Sequence, residues 1–274
     1  MASVADFVEM TKVSPPRSLA AFIDRWIFVF MAGLFIVTVL AGFIPTSIEK
    51  VMEVQAGVRP PLPLVLHVHA VLMGSWMLLL LTQTVLMATG RSAWHKQLGV
   101  AGMVIAPAMV LTGFFLVPTM VGYNFERIAL APPEILTPEA AEEARMFLSS
   151  LVAAQISVGV LFLVCVYLGL RARKTDAGFH KRMMILASVL PLPAAIDRMA
   201  WLPTTYPDSA VSVYLYPLLW IAPMLLWDLL RGNGFHSAYR VWLVLYIPAA
   251  LVVIYLWWKP WWIEIAQRLV GVSA

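Results

Sequence analysis

Residues 64–89, LVLHVHAVLMGSWMLLLLTQTVLMAT, run without a single Lys, Arg, Asp or Glu. Wound as a helix at about 1.5 Å per residue, such a stretch exceeds the roughly 30 Å hydrocarbon core of a bilayer. Similar apolar runs, bounded by charges or by Pro and Gly, lie at about 26–44, 97–120, 147–170, 183–203, 211–230 and 241–258. The reading is an all-α fold, a bundle of seven transmembrane helices. It forms one integral membrane domain over 1–274, with a core at 64–203 and extra spans at 26–44, 211–230 and 241–258. An interfacial tail follows at 259–274.

Composition agrees. Of 274 residues 61% are apolar and 12% charged, against about 25% charged in soluble domains. A water-soluble fold is excluded, and short loops leave no room for a separate catalytic domain. The single Cys165 offers neither a disulfide framework nor a multi-cysteine metal site. The net charge of +4 is scattered through loops and gives no nucleic-acid surface. Asp6, Glu9 and Asp24 precede the first span with no cleavage pattern, so the N-terminus is not read as a signal peptide.

Seven spans put the termini on opposite sides. Lys12, Arg17, Arg25, Arg91, Lys96, Arg171, Arg173, Lys174, Lys181, Arg182, Arg231 and Arg240 are twelve of the 19 basic residues, and all share the N-terminal side. The other side carries ten of the 15 acidic residues. The positive-inside rule then puts the N-terminus in the cytoplasm and the C-terminus outside. Outside, 121–145 is the longest loop, with Thr137–Glu143 read as a short surface helix that serves as a lid or docking surface. Trp257-Trp258-Lys259-Pro260-Trp261-Trp262 reads as an aromatic belt.

One segment recurs. Ser92-Ala93-Trp94-His95-Lys96-Gln97-Leu98 returns as Ala177-Gly178-Phe179-His180-Lys181-Arg182-Met183, which suggests that spans two and three are duplicated in spans four and five. No Lys, Arg, Asp or Glu falls at a helix centre, against a charged midplane relay. The last span also lacks the lysine of a retinal protein. The 15 methionines are dispersed, and core packing accounts for them.

The histidines therefore carry the chemistry. His95 and His180 share a depth, and two facing imidazoles across a four-helix bundle are an axial ligand set for b-type haem iron. Arg91, Lys96, Lys181 and Arg182 stand by to pair with the propionates. Alternatively, each histidine caps or snorkels at the headgroup boundary, or the pair holds another metal or ligand. On the far side, His67 and His69 open span two, and His69 shares a stripe with Met73, Trp76, Leu80, Gln83 and Met87. His67, His69, Gln83, Gln155, Asp197 and Arg198 form an outer pocket for a quinone or small reductant, or a structural polar network.

The stretch from His67 to Trp201 resembles a family of uncharacterised bacterial multi-pass membrane proteins. The shared pattern is His67 or His69, Gln83, Arg91, Trp94-His95-Lys96-Gln97-Leu98-Gly99, His180-Lys181-Arg182-Met183-Met184 and Arg198. That resemblance implies the bacterial inner (cytoplasmic) membrane. The chain also looks like the transmembrane di-haem cytochrome b proteins, which implies electron transfer. It departs from them on span four, where a second outer ligand falls to Met146 or Gln155 with no histidine, so one haem is expected. Three readings stand: a redox protein with one haem and a quinone or small reductant; a non-enzymatic accessory or assembly subunit of a larger membrane complex; and a transporter or lipid-modifying enzyme.

Overall fold

The computed structural model describes residues 18–232 and 234–272; Lys12 and Arg17, counted above for orientation, lie outside them. The described residues form helices α1 (Leu19–Gln55), α2 (Leu64–Ala88), α3 (Ser92–Leu130), α4 (Pro138–Ala172), α5 (Ala177–Ser188), α6 (Pro193–Ile196), α7 (Val211–Leu230), α8 (Ser237–Leu256) and α9 (Pro260–Val270). Six of them, α1 to α4, α7 and α8, are long and apolar enough to cross a membrane. The chain is a multi-pass helical membrane protein. Below, the face where α1 begins is called proximal and the face where it ends distal.

Local chemistry sets the helix starts. Ser18 caps α1 through the Ala21 N–H at 3.2 Å, and Asp176 caps α5 through the Phe179 N–H at 2.8 Å. Thr137 caps α4 through the Ala140 N–H at 3.3 Å. That last cap corrects the expected outer loop. Thr137–Glu143 is the cap and opening of α4 rather than a separate surface helix, and α3 continues to Leu130, so only 131–137 connects them. Hydropathy marks where a span leaves hydrocarbon, whereas the helix continues wherever its backbone stays bonded. Helices α1, α3 and α4 have 37, 39 and 35 residues, which at 1.5 Å per residue is about 52–58 Å against a core of about 30 Å.

The expected continuous fifth span, 183–203, is interrupted. Helix α5 ends at Ser188, the chain turns through 189–192, and α6 adds one turn before the irregular stretch to Ala210. Pro191 and Pro193 explain the break, since neither has an N–H to continue the ladder. This broken element is the most deeply buried part of the molecule: Met183, Ile185, Leu186, Ala187 and Ala195 are fully enclosed. Two indoles attend the break. Trp242 Nε1 donates to the Leu186 carbonyl at 2.9 Å, and Trp76 Nε1 donates to Ser188 Oγ at 3.0 Å. On the α1 side, a Cβ at Gly42 would fall 2.1 Å from the Ala195 carbonyl oxygen, so only glycine lets α1 lie against α6.

At the distal end α9 lies on α3 and α4, with Ile263, Ala266 and Gln267 buried. The aromatic belt is turned partly into the protein. Trp257 Nε1 donates to the Pro207 carbonyl at 2.9 Å and Trp258 Nε1 to the Asp208 carbonyl at 3.1 Å, while Trp261 stays about half exposed.

Candidate functional site

Two short connections, 89–91 and 173–176, end their hairpins on the proximal face, and the helix that follows each carries its histidine as the fourth residue. His95 and His180 thereby come together, with ring centres 6.4 Å apart and planes at 78°. That spacing has room for two metal–nitrogen bonds of about 2 Å, which put the centres roughly 6 Å apart, and it equally suits an edge-to-face ring contact, for which centres lie about 4.5–7 Å apart.

The hydrogen bonds define which nitrogens are free. His180 Nδ1 lies 2.8 Å from the Gly169 carbonyl; a carbonyl only accepts, so the proton sits on Nδ1 and Nε2 keeps its lone pair. His95 Nδ1 is buried without a protein partner, and so is Gln83 Oε1. Gln83 packs beside His95's helix, its Nε2 being 3.4 Å from where a Cβ on Gly99 would stand. It thus belongs with the proximal histidines. His69 is fourteen residues earlier on α2, about 21 Å away along the axis.

The four expected cations divide. Arg91 and Lys96 are exposed beside His95. Lys181 Nζ lies over the Phe28 ring, 4.7 Å from its centre. Arg182 is committed to a different partner, Asp228 on α7, with Nε donating to Oδ2 at 2.7 Å and Nη2 to Oδ1 at 2.5 Å. Tyr239 Oη donates to the same Oδ2 at 2.6 Å. This buried triad ties α5, α7 and α8 together. The sequence reading missed Asp228; its signal was a lone carboxylate in the last turn of an otherwise apolar span. Nearby, His236 caps α8 by accepting from the Ala238 N–H at 3.1 Å. Burial, reinforced by the Arg182 guanidinium, holds its imidazole below the ordinary histidine range.

The six residues expected in the outer pocket do not share one place. His67 and Gln155 are exposed. His69 Nδ1 pairs with Thr112 Oγ1 at 3.0 Å, against the backbone of Gly113 on α3. Thr112 donates its hydroxyl to its own helix, to the Ala108 carbonyl at 2.9 Å, so it accepts from His69. Asp197 and Arg198 sit elsewhere, at the end of α6 beside α1: Arg198 donates to the Ala194 carbonyl and stacks 4.5 Å from the centre of Phe43. Asp197 faces the hydroxyl of Tyr206, whose phenol is pushed up by burial and by that carboxylate.

A metal held by three or more His, Cys, Asp or Glu side chains has no site among the described residues; the His95–His180 pair with its free nitrogens is the arrangement with ligand chemistry. Set against protein-family models, curated proteins and solved structures, the chain matches none of them, and its function rests on this geometry.

Proposed function

We propose that the protein is an integral membrane redox protein that binds one b-type haem through His95 and His180, in a bacterial inner membrane, with seven passes and a cytoplasmic N-terminus. The observation that carries the reading is the 6.4 Å separation of two imidazoles supplied by two equivalent hairpins, together with the buried, unpartnered His95 Nδ1. The haem would supply one-electron cycling of its iron. The chain's own contribution is orientation: the Gly169 carbonyl fixes the His180 tautomer, as second partners of ligating histidines do. Arg91 and Lys96, unlike Arg182, are unburied and free to meet propionates. The matching positions of the two histidines also favour the duplication of spans two and three in spans four and five. A quinone or small reductant would meet the chain at the distal rim, near Asp197 and Arg198.

The test is optical. Protein purified from haem-supplemented cells should show a Soret band and about one iron per chain. His95→Ala and His180→Ala should each lose the band while Lys181→Ala retains it. A colourless, iron-free wild type overturns the reading. A second reading, an accessory or assembly subunit of a larger membrane complex, is favoured by the lengths of α1, α3 and α4. Those helices would offer a partner a rigid surface beyond the bilayer, and a colourless chain that co-purifies with one partner would support it.

A further inference from the structure

Helix α9 is tied to α4 at both of its ends. Just before it the Trp258 N–H donates to Ser150 Oγ at 3.4 Å, and near its far end Gln267 Nε2 donates to Ser149 Oγ at 3.3 Å. Along α9 about two turns, roughly 10 Å, separate those contacts, whereas Ser149 and Ser150 differ by about 1.5 Å in height on α4 and by about 100° around it. Only a helix that crosses α4, rather than running along it, can make both. The crossing continues onto α3, where Ala266 packs with Val121 and Val152, and a Cβ on Gly122 would stand 4.0 Å from Val272.

The height of the crossing coincides with the ends of the apolar runs. The run on α3 ends near 120, the run on α4 begins near 147, and the run on α8 ends near 258. Each stops within about a turn of Val121, Ser149 or Trp258.

The sides of α9 meet three different surroundings. Ile263, Ala266 and Gln267 are buried against α3 and α4. Glu264 and Arg268 pair with each other in the open, their side chains 63% and 76% exposed. Trp261, Ile265 and Leu269 recur every fourth residue and so share one stripe, yet they are 49%, 42% and 64% exposed. Three side chains fall far short of the roughly 800 Å² per partner of a stable protein interface. Acyl chains set no such minimum, and a helix at a membrane boundary presents this combination of charged edge and apolar stripe.

We propose that α9 lies in the membrane plane at the distal surface, with Trp261, Ile265 and Leu269 seated in the acyl chains of that leaflet and Glu264 and Arg268 in water. Lying across α3 and α4, it fixes their height. Residues 122–130 of α3 and 138–148 of α4, about 13 and 16 Å of helix, then stand clear of the hydrocarbon. That tip, with its connection, carries Glu126, Glu134, Glu139, Glu142 and Glu143. The proposal holds for either orientation of the chain and whether or not the histidine pair binds haem.

Spin-label accessibility tests it on the full-length protein in vesicles of phosphatidylethanolamine and phosphatidylglycerol. In a Cys165→Ala background, single nitroxides at Trp261→Cys, Ile265→Cys and Leu269→Cys should be relaxed severalfold more by lipid-soluble oxygen than by a water-soluble nickel chelate. Glu264→Cys and Arg268→Cys should show the opposite preference. All five positions are on the surface, so the fold tolerates the labels. Along α4 the preference should reverse between Glu142→Cys, in water, and Ile156→Cys, in lipid. Chelate preference at all five α9 positions would mean that the helix stands off the membrane, and oxygen preference at all five that it is immersed. Protection of the stripe from both reagents would mean that protein covers it. Each of these results overturns the proposal, as does a chelate preference at Ile156→Cys.

Discussion

Arg182 and Asp228 show how a single carboxylate governs a charge in this bundle. The pair is bidentate, under 10% exposed on both sides, and shared with Tyr239. Removing one partner leaves the other charge in a medium that cannot solvate it, which in buried pairs costs about 3–5 kcal/mol. Asp228→Ala is therefore expected to lower the thermal midpoint in detergent sharply. Adding Arg182→Leu to it should recover part of that loss, since the double variant no longer buries an unpaired guanidinium. Equal destabilisation by the single and double variants would mean that the pair is solvated.

At the level of the helix, the broken α5–α6 element depends on donors from its neighbours. Trp242→Phe keeps an aromatic ring in place but strips the Leu186 carbonyl of its indole donor, and a buried acceptor left unmade costs about 1–3 kcal/mol. The variant should unfold at a lower temperature than wild type, whereas Trp76→Phe should cost less, because Ser188 Oγ already donates to the Met184 carbonyl at 2.8 Å. The apolar runs of the sequence placed six of these helices, since uncharged length is a property the chain displays directly. They did not place the helix ends. The caps at Ser18 and Thr137 are short-range hydrogen bonds that hydropathy does not weigh, so α1 and α4 begin earlier than their apolar windows. Nor did a linear reading separate Gln83 from His69: the stripe they share on α2 is real, but the helix sets them on opposite halves of the membrane. His95 and His180 were legible because the recurring segment fixed both at one depth. Asp228 was not, because its pairing with Arg182 exists only in the folded chain.

Across the whole molecule, the proposed orientation, which follows from the charge asymmetry, puts the proximal face in the cytoplasm and the 131–137 connection outside. In a Cys165→Ala background, Ile135→Cys should react with a membrane-impermeant maleimide on intact spheroplasts. Lys174→Cys should react only after lysis. The reverse pattern would invert the topology and move the histidine pair to the outer leaflet.

The two imidazoles come from separate hairpins, His95 from α2–α3 and His180 from α4–α5. A nascent chain halted after α4 displays one of them, and a lone imidazole is a feeble grip on any metal. On the proposed reading, capture of a prosthetic group would be a late event of biogenesis, deferred until α5 has been made, and cells short of the group would accumulate a fully inserted but ungripped bundle rather than a truncated one.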